Sequence, residues 1–294
     1  MSGAGGITPV LVTYNSSAIL PWSLPALAGC PAVVIVDNAS ADDTVDRARA
    51  LLPQAQIIHA GGNLGFGRAN NLGIAAVRTD HALLLNPDAR LAPGALQALH
   101  EAAARWPEAA IIAPVLYDAP GVVGDFFRGP FGAPASKPPP EPAGDLCAEF
   151  VTGAAMLLNL PRLREVGLFD PWFFLYFEDD DLCLRVRRAG HPIIVAQAAR
   201  VEHHVRQSSA PSVRTAWRRV YCMTLSKLYL IRKLGGNVRC AGAALRIGLG
   251  SLLALPLALL APRRGRLLRH AARVAAASMA WRHLRRAHCF EPGA

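Results

Sequence analysis

Five short stretches of this sequence carry side chains that could do chemistry. The first is Val34-Ile35-Val36-Asp37-Asn38-Ala39-Ser40, an apolar run that ends in an acid. A carboxylate at the end of a strand can accept hydrogen bonds from a ribose or a base N–H. A turn rich in Asx residues, leading into a helix cap, explains the same residues with no ligand. The second is Gly61-Gly62-Asn63-Leu64-Gly65-Phe66-Gly67-Arg68-Ala69-Asn70-Asn71. Glycines ahead of a helix let backbone N–H groups approach a phosphate, and the helix N-terminus favours an anion. The spacing is not G-x-G-x-x-G and no G-K-[ST] follows, so dinucleotide and P-loop readings lack their key residues.

The third stretch, Leu83-Leu84-Leu85-Asn86-Pro87-Asp88, takes an apolar run into a polar turn. One carboxylate there can join substrate phosphates in holding Mg2+ or Mn2+; an Asn-Pro turn with an Asp cap is the plainer account. The fourth is Phe177-Glu178-Asp179-Asp180-Asp181-Leu182-Cys183-Leu184-Arg185. A helix start tolerates such an acidic cluster, and mutual repulsion raises one carboxylate's pKa, as a general base requires. The fifth is Val201-Glu202-His203-His204. Adjacent histidines on a strand face opposite ways, so one at most enters a given site. Either His taken singly is more readily a surface or packing residue.

The elements that must position these groups alternate. Strand patterns occur at 7–13, 33–37, 56–59, 82–85 and 110–115, and again at 193–195. Helix patterns occur at 42–52, 66–77 and 93–105; a helix over 18–27 is weakened by Pro21 and Pro25. Strands separated by helices of about ten residues predict βαβ units and a mostly parallel sheet. Ligands then belong at the carboxyl ends of the strands, where Asp37, Asn63 and Asp88 fall. A proline-rich stretch over about 129–144 reads as a mobile loop. The predicted division is a catalytic domain over 1–210 and a helical region over 211–294.

Taken together, the order and spacing of the motifs are specific. Val12-Thr13-Tyr14-Asn15, Val36-Asp37-Asn38-Ala39-Ser40, the 63–73 stretch, Leu84-Leu85-Asn86-Pro87-Asp88, Thr152-Gly153-Ala154, Gly167-Leu168-Phe169-Asp170 and the 177–185 cluster resemble family 2 glycosyltransferases. The likeness is strongest to the rhamnosyltransferase-like branch that builds bacterial cell-surface polysaccharides, and it covers roughly residues 7–209.

This resemblance implies a GT-A fold and inverting transfer from a nucleoside-diphosphate sugar to a hydroxyl of a lipid-linked or glycan acceptor. It implies that Thr13 and Asp37 contact the nucleoside, with Asn63 and Asn70 near the donor. Tyr14, Asn15, Asn38, Gly65, Phe66, Arg68 and Asn86 complete the implied donor side. Asp88 would be the metal-binding acid of an Asp-x-Asp motif whose first acid is Asn86 here, with Mg2+ or Mn2+ as the cofactor. Asp179 would be the base, beside Glu178, and Thr152, Gly153, Asp181 and Arg185 would lie toward the acceptor. The family often carries a His, then a Gly and a Ser, after the base helix. His203 fits if Arg206 replaces the glycine and Ser208 is the serine; His203 is favoured over His204. Rhamnose from dTDP-rhamnose is the expected donor, with galactofuranose, N-acetylhexosamines and hexoses as alternatives.

Composition narrows the class. With 52% hydrophobic and 18% charged residues, the chain is neither disordered nor a disulfide miniprotein. The six cysteines form no CxxC pair or metal spacing, which suits reduced thiols in the cytosol, and no secretory signal is recognisable at the N-terminus. The net charge of +10 suggests a nucleic-acid binder until the charges are located. Residues 1–202 sum to −6, whereas 203–294 sum to +16 with Glu291 as their one acid. Residues 247–261 are apolar but contain Pro256, and basic residues flank them on both sides. A helical tail over 213–288 that lies on an anionic membrane surface suits these facts better than a clean span. That places the enzyme on the cytoplasmic face of the membrane. A nucleic-acid-binding reading explains the charge but not Asp37, Asp88 and Asp179, and an inactive scaffold is disfavoured by the same acids.

Overall fold

A computed structural model describes residues 6–119, 122–123, 142–204, 212–260 and 264–283. The chain forms β1 (Ile7–Thr13), α1 (Leu20–Ser23), β2 (Val34–Asp37), α2 (Thr44–Leu51), β3 (Gln56–His59), α3 (Phe66–Ile74), β4 (His81–Leu85), β5 (Ala89–Leu91) and α4 (Ala95–Arg105). It continues through β6 (Ile111–Ala119), β7 (Val122–Val123), β8 (Leu146–Cys147), β9 (Ala155–Asn159), α5 (Leu160–Val166), α6 (Glu178–Arg188), β10 (Ile193–His203), α7 (Val213–Leu260) and α8 (Arg264–His283).

The strands form one sheet in the order β3-β2-β1-β4-β9-β6-β10-β5, with β7 beside β6 and β8 beside β10. The half built from β3, β2, β1 and β4 is parallel, as the alternation of apolar runs and helices requires. The rest departs from a mostly parallel sheet. β9 inserts antiparallel between β4 and β6, and β5 returns antiparallel along β10. The sheet is therefore mixed. The apolar Ala-Met-Leu-Leu run of β9 is buried between two other strands, so it lacks the alternation that marks a half-exposed strand.

Local chemistry sets the boundaries. Pro21 and Pro25 limit the segment after β1 to one α turn and a 3-10 turn over Leu24–Leu27. α3 lies close on the sheet: a Cβ at Gly73 would come within 2.5 Å of Val10 Cγ1 and 3.0 Å of Val36 Cγ2. Asn159 caps α5 by accepting from the Arg162 N–H (3.3 Å). β10 runs eight residues beyond its expected end, past an irregularity between Ala196 and Arg200, and carries His203 into the sheet.

The chain divides into two compact units, 1–170 with 179–209, and 171–178 with 210–294. The first holds the core of the sheet. The second is a helical hairpin with its own small core, in which Leu225, Leu228, Ala243 and Ala244 of α7 meet Ala276, Ala277 and Ala280 of α8. α7 is interrupted at Gly236, whose φ of 79° lies in the left-handed region. The 129–141 part of the expected proline-rich loop, together with Arg206, Ser208, Arg263, Arg285 and Arg286, lies outside the described residues.

Candidate active site

The parallel strands present their carboxyl ends in register. Thr13 pairs with Asp37, and Asp37 pairs with His59. Thr13 is fully buried and its hydroxyl bonds Val36 O (3.5 Å). Asp37 is 5% exposed; its carboxylate accepts from the Ser40 N–H (3.3 Å), and His59 Nδ1 lies 3.8 Å away. The loops after β1 and β2 are tied together. Asn15 N donates to Ser40 Oγ (2.9 Å) and Ala41 N to Asn15 Oδ1 (2.7 Å). Asn15 and Ala39 have φ of 50° and 66°, a strain of about 1–3 kcal/mol at each that the surroundings must hold. Tyr14 begins this turn, with its N–H on Ser16 Oγ.

Asn38 works on the glycine-rich turn. Its Oδ1 accepts from Leu64 N (2.8 Å), and its Nδ2 donates to Asn63 Oδ1 (3.2 Å) and Gly65 O (3.3 Å). Gly65 has φ 82° and turns the chain into α3. Asn70 points its amide back to Phe66 O (3.0 Å), so it steadies the first turn of its own helix. Arg68 in that turn is half-buried and makes no ion pair among the described residues. Phe66 faces the 152–154 loop: a Cβ at Gly153 would meet its ring at 3.0–3.1 Å. Phe66 also packs edge-on against Phe169, and Asn71 exchanges two hydrogen bonds with the Phe169 backbone.

The 153–154 loop is the node of the arrangement. Gly153 N donates to Asp179 Oδ2 (3.1 Å). The next carbonyl, Ala154 O, accepts from Asn86 N (2.9 Å), in the turn that carries Asp88. Thr152 stands half-exposed beside it. Of the four acids that open α6, Glu178, Asp180 and Asp181 are buried, and Asp179 alone keeps partial exposure. Burial pushes the Asp179 carboxyl above the ordinary aspartate value, against the opposing pull of the Gly153 and Asp180 N–H groups. Asp181 and Arg185 form an ion pair at 2.8 Å, and the Arg185 guanidinium also bonds the carbonyls of Val166, Gly167 and Leu168. That geometry makes the pair a clamp between α6 and the loop after α5.

Asp88 is 2% exposed and its Oδ1 has no hydrogen bond, while His203 Nε2 lies 3.4 Å from that atom. A buried carboxylate oxygen with no hydrogen bond, next to an imidazole nitrogen, fits a divalent cation completed by substrate phosphates. No cluster of three His, Cys, Asp or Glu side chains suited to a metal occurs among the described residues. His204 turns the other way and stacks on Trp22, with ring centroids 4.0 Å apart. Sequence reasoning passed over His59 and Trp22. Their neighbours depend on strand register and on pairings across the fold, which no local pattern encodes.

Residues 10–135 match the model of the family described as glycosyl transferase family 2. Over 235 residues the chain is 29% identical to N-acetylglucosaminyl-diphospho-decaprenol L-rhamnosyltransferase of Mycobacterium tuberculosis, covering 68% of this chain and 76% of that protein. Residues 10–135 therefore carry a glycosyltransferase family 2 domain. Rhamnosyltransferase WbbL of Escherichia coli is also 29% identical, over 172 residues that make up 51% of this chain and 65% of that protein. Among solved structures, the chain is similar to the mannosyltransferase PcManGT from Pyrobaculum calidifontis, solved with GDP-Man and Mn2+. The TM-score is 0.55 at 16% identity, over 94% of this chain and 87% of that one. That likeness agrees with the expected GT-A fold.

Proposed function

We propose that this glycosyltransferase moves rhamnose from dTDP-rhamnose to a hydroxyl of a lipid-linked acceptor, with inversion at the anomeric carbon. The observation that carries the reading is the 153–154 loop, which bonds Asp179 on one side and the Asn86–Asp88 turn on the other. In this reading Thr13, Asp37 and their bonded loops receive the nucleoside. The first turn of α3, with Arg68, faces the diphosphate. Asp88 and His203 would hold Mg2+ or Mn2+, which when bound would supply positive charge to the leaving diphosphate. Asp179 removes the acceptor proton as the hydroxyl oxygen bonds the anomeric carbon and the carbon–oxygen bond to the diphosphate breaks. The proton ends on the Asp179 carboxylate and the electron pair on the diphosphate, so no covalent intermediate is needed. The M. tuberculosis relative, an L-rhamnosyltransferase for N-acetylglucosaminyl-diphospho-decaprenol, supports both a rhamnose donor and a lipid-linked acceptor.

The second unit supplies the membrane side of the proposal. Leu245, Leu249, Leu252 and Leu253 of α7 are about half exposed or more, and α7 is long and apolar enough to cross a membrane by length and composition. Arg266, Arg269 and Arg273 are exposed along α8. Leucines for the acyl boundary and arginines for anionic headgroups suit a hairpin lying on the cytoplasmic leaflet.

The test is a thermal-shift screen of nucleotide sugars with Mg2+ or Mn2+. A donor at one hundred times its Kd stabilises the protein by about 2.7 kcal/mol. The expected result is a rise in Tm with dTDP-rhamnose and a product whose anomeric configuration is opposite to the donor's. A rise with UDP-galactofuranose or UDP-GlcNAc and none with dTDP-rhamnose would overturn the donor assignment. Retention of configuration would overturn the mechanism.

A further inference from the structure

Asp88 and His203 lie at one edge of the sheet. β5 is a three-residue strand at the sheet edge, Asp88 immediately precedes it, and His203 is the last paired residue of β10. Strand ends at an edge fray, because nothing continues the ladder beyond them. A support from outside the sheet stands against this corner. The ring of Trp22, carried by α1, stacks on His204 with an interplanar angle of 18°. The Arg90 guanidinium lies 4.7 Å from the Trp22 ring centre and bonds Glu202 Oε2 at 2.6 Å. His204 N in turn donates to Asp88 O (2.8 Å). Trp22, Arg90 and Glu202 also line a groove of about 810 Å³, so one edge of this buttress is open to solvent.

We propose that Trp22 is a positioning residue for the cation site: by holding His204, it fixes the backbone that keeps His203 Nε2 against Asp88 Oδ1. This rests on the reading of Asp88 and His203 as metal-holding residues. Groups that orient ligands from behind typically change metal affinity by about 10–100-fold when removed.

The test measures Mn2+ binding to the full chain by the electron paramagnetic resonance signal of free Mn2+, with and without dTDP, alongside kcat and the KM for Mn2+. Trp22→Ala is expected to raise the Mn2+ Kd and the KM about tenfold. Its kcat at saturating Mn2+ should stay near the wild-type value, and Trp22→Phe should restore binding. Wild-type Mn2+ affinity in Trp22→Ala, or a kcat loss that Mn2+ does not relieve, overturns the proposal. His203→Ala separates the two ideas. If it loses Mn2+ binding while Trp22→Ala keeps it, the buttress fails and the cation site stands; if it binds as wild type, the site reading itself fails and the buttress with it. Should Trp22→Ala not fold, Arg90→Gln removes the cover over the ring and the bond to Glu202. A several-fold rise in Mn2+ Kd in that variant supports the proposal, and no change overturns it.

Discussion

Asp179 differs from its three acidic neighbours in its partner: its carboxylate accepts from the Gly153 N–H of the loop that also bonds the Asn86–Asp88 turn. That contact sorts the cluster in a way that residue type alone does not. Replacing Asp179 is expected to remove transfer and spare donor binding. Asp179→Asn should lower kcat by about 10²–10⁴-fold with little change in donor affinity, measured by single-turnover assay and donor titration. The direction of its pKa shift adds a second expectation. Burial raises this carboxyl above its ordinary 3.8, so the active, charged form is lost as pH falls through a value higher than that. The acid limb of kcat should lie above the normal aspartate range in wild type, and an acid limb at or below 3.8 would contradict the base assignment.

Two elements are set by contacts that can be removed one at a time. α3 reaches the sheet only because position 73 has no side chain, since a Cβ would stand 2.5 Å from Val10 Cγ1. Gly73→Ala should destabilise the protein by about 1–3 kcal/mol through overpacking, read as a lower urea midpoint. α6 is held by Arg185, which bonds three carbonyls and the buried Asp181. Arg185→Ala leaves that acid without its cation. The cost should be about 3 kcal/mol, the low end for a broken buried pair, because the arginine is 22% exposed. The same measurement checks it. The antiparallel β9 and β5 show where local reading stops. An apolar run says that a strand is buried, but the neighbour it pairs with and the direction of pairing come from the whole sheet.

At the scale of the molecule, the +10 net charge resolves into −6 over residues 1–202 and +16 over 203–294. The proposed membrane attachment depends on the hairpin's exposed arginines and leucines together. Changing Arg266, Arg269 and Arg273 to Glu should reduce co-sedimentation with vesicles containing anionic lipid, at about 1 kcal/mol per basic residue lost. Binding to neutral vesicles should change less, and added salt should weaken the wild-type interaction. Equal binding of the variant and wild type to anionic vesicles would remove the electrostatic half of the proposal.

Much of this protein was legible from its residues. The apolar runs of β1, β2 and β4, the acid at the end of β2 and the glycine turn before α3 are local patterns, and the parallel half-sheet follows from their order. Side-chain chemistry and spacing also singled out Asp88, the acidic cluster at 178–181 and the His203–His204 pair, and the family resemblance picked Asp179 from that cluster. The tertiary structure decided what those groups do to one another. It set Asp88 Oδ1 beside His203 Nε2, turned His204 onto Trp22 and tied both the Asp179 helix and the Asp88 turn to one loop. It also assigned Asp181 and Arg185 to a clamp. The reason is physical. A strand or a turn is specified by neighbours in sequence, but a hydrogen bond between residues 153 and 179, or a stack between 22 and 204, exists only once the sheet's register and β9's insertion have brought distant segments together.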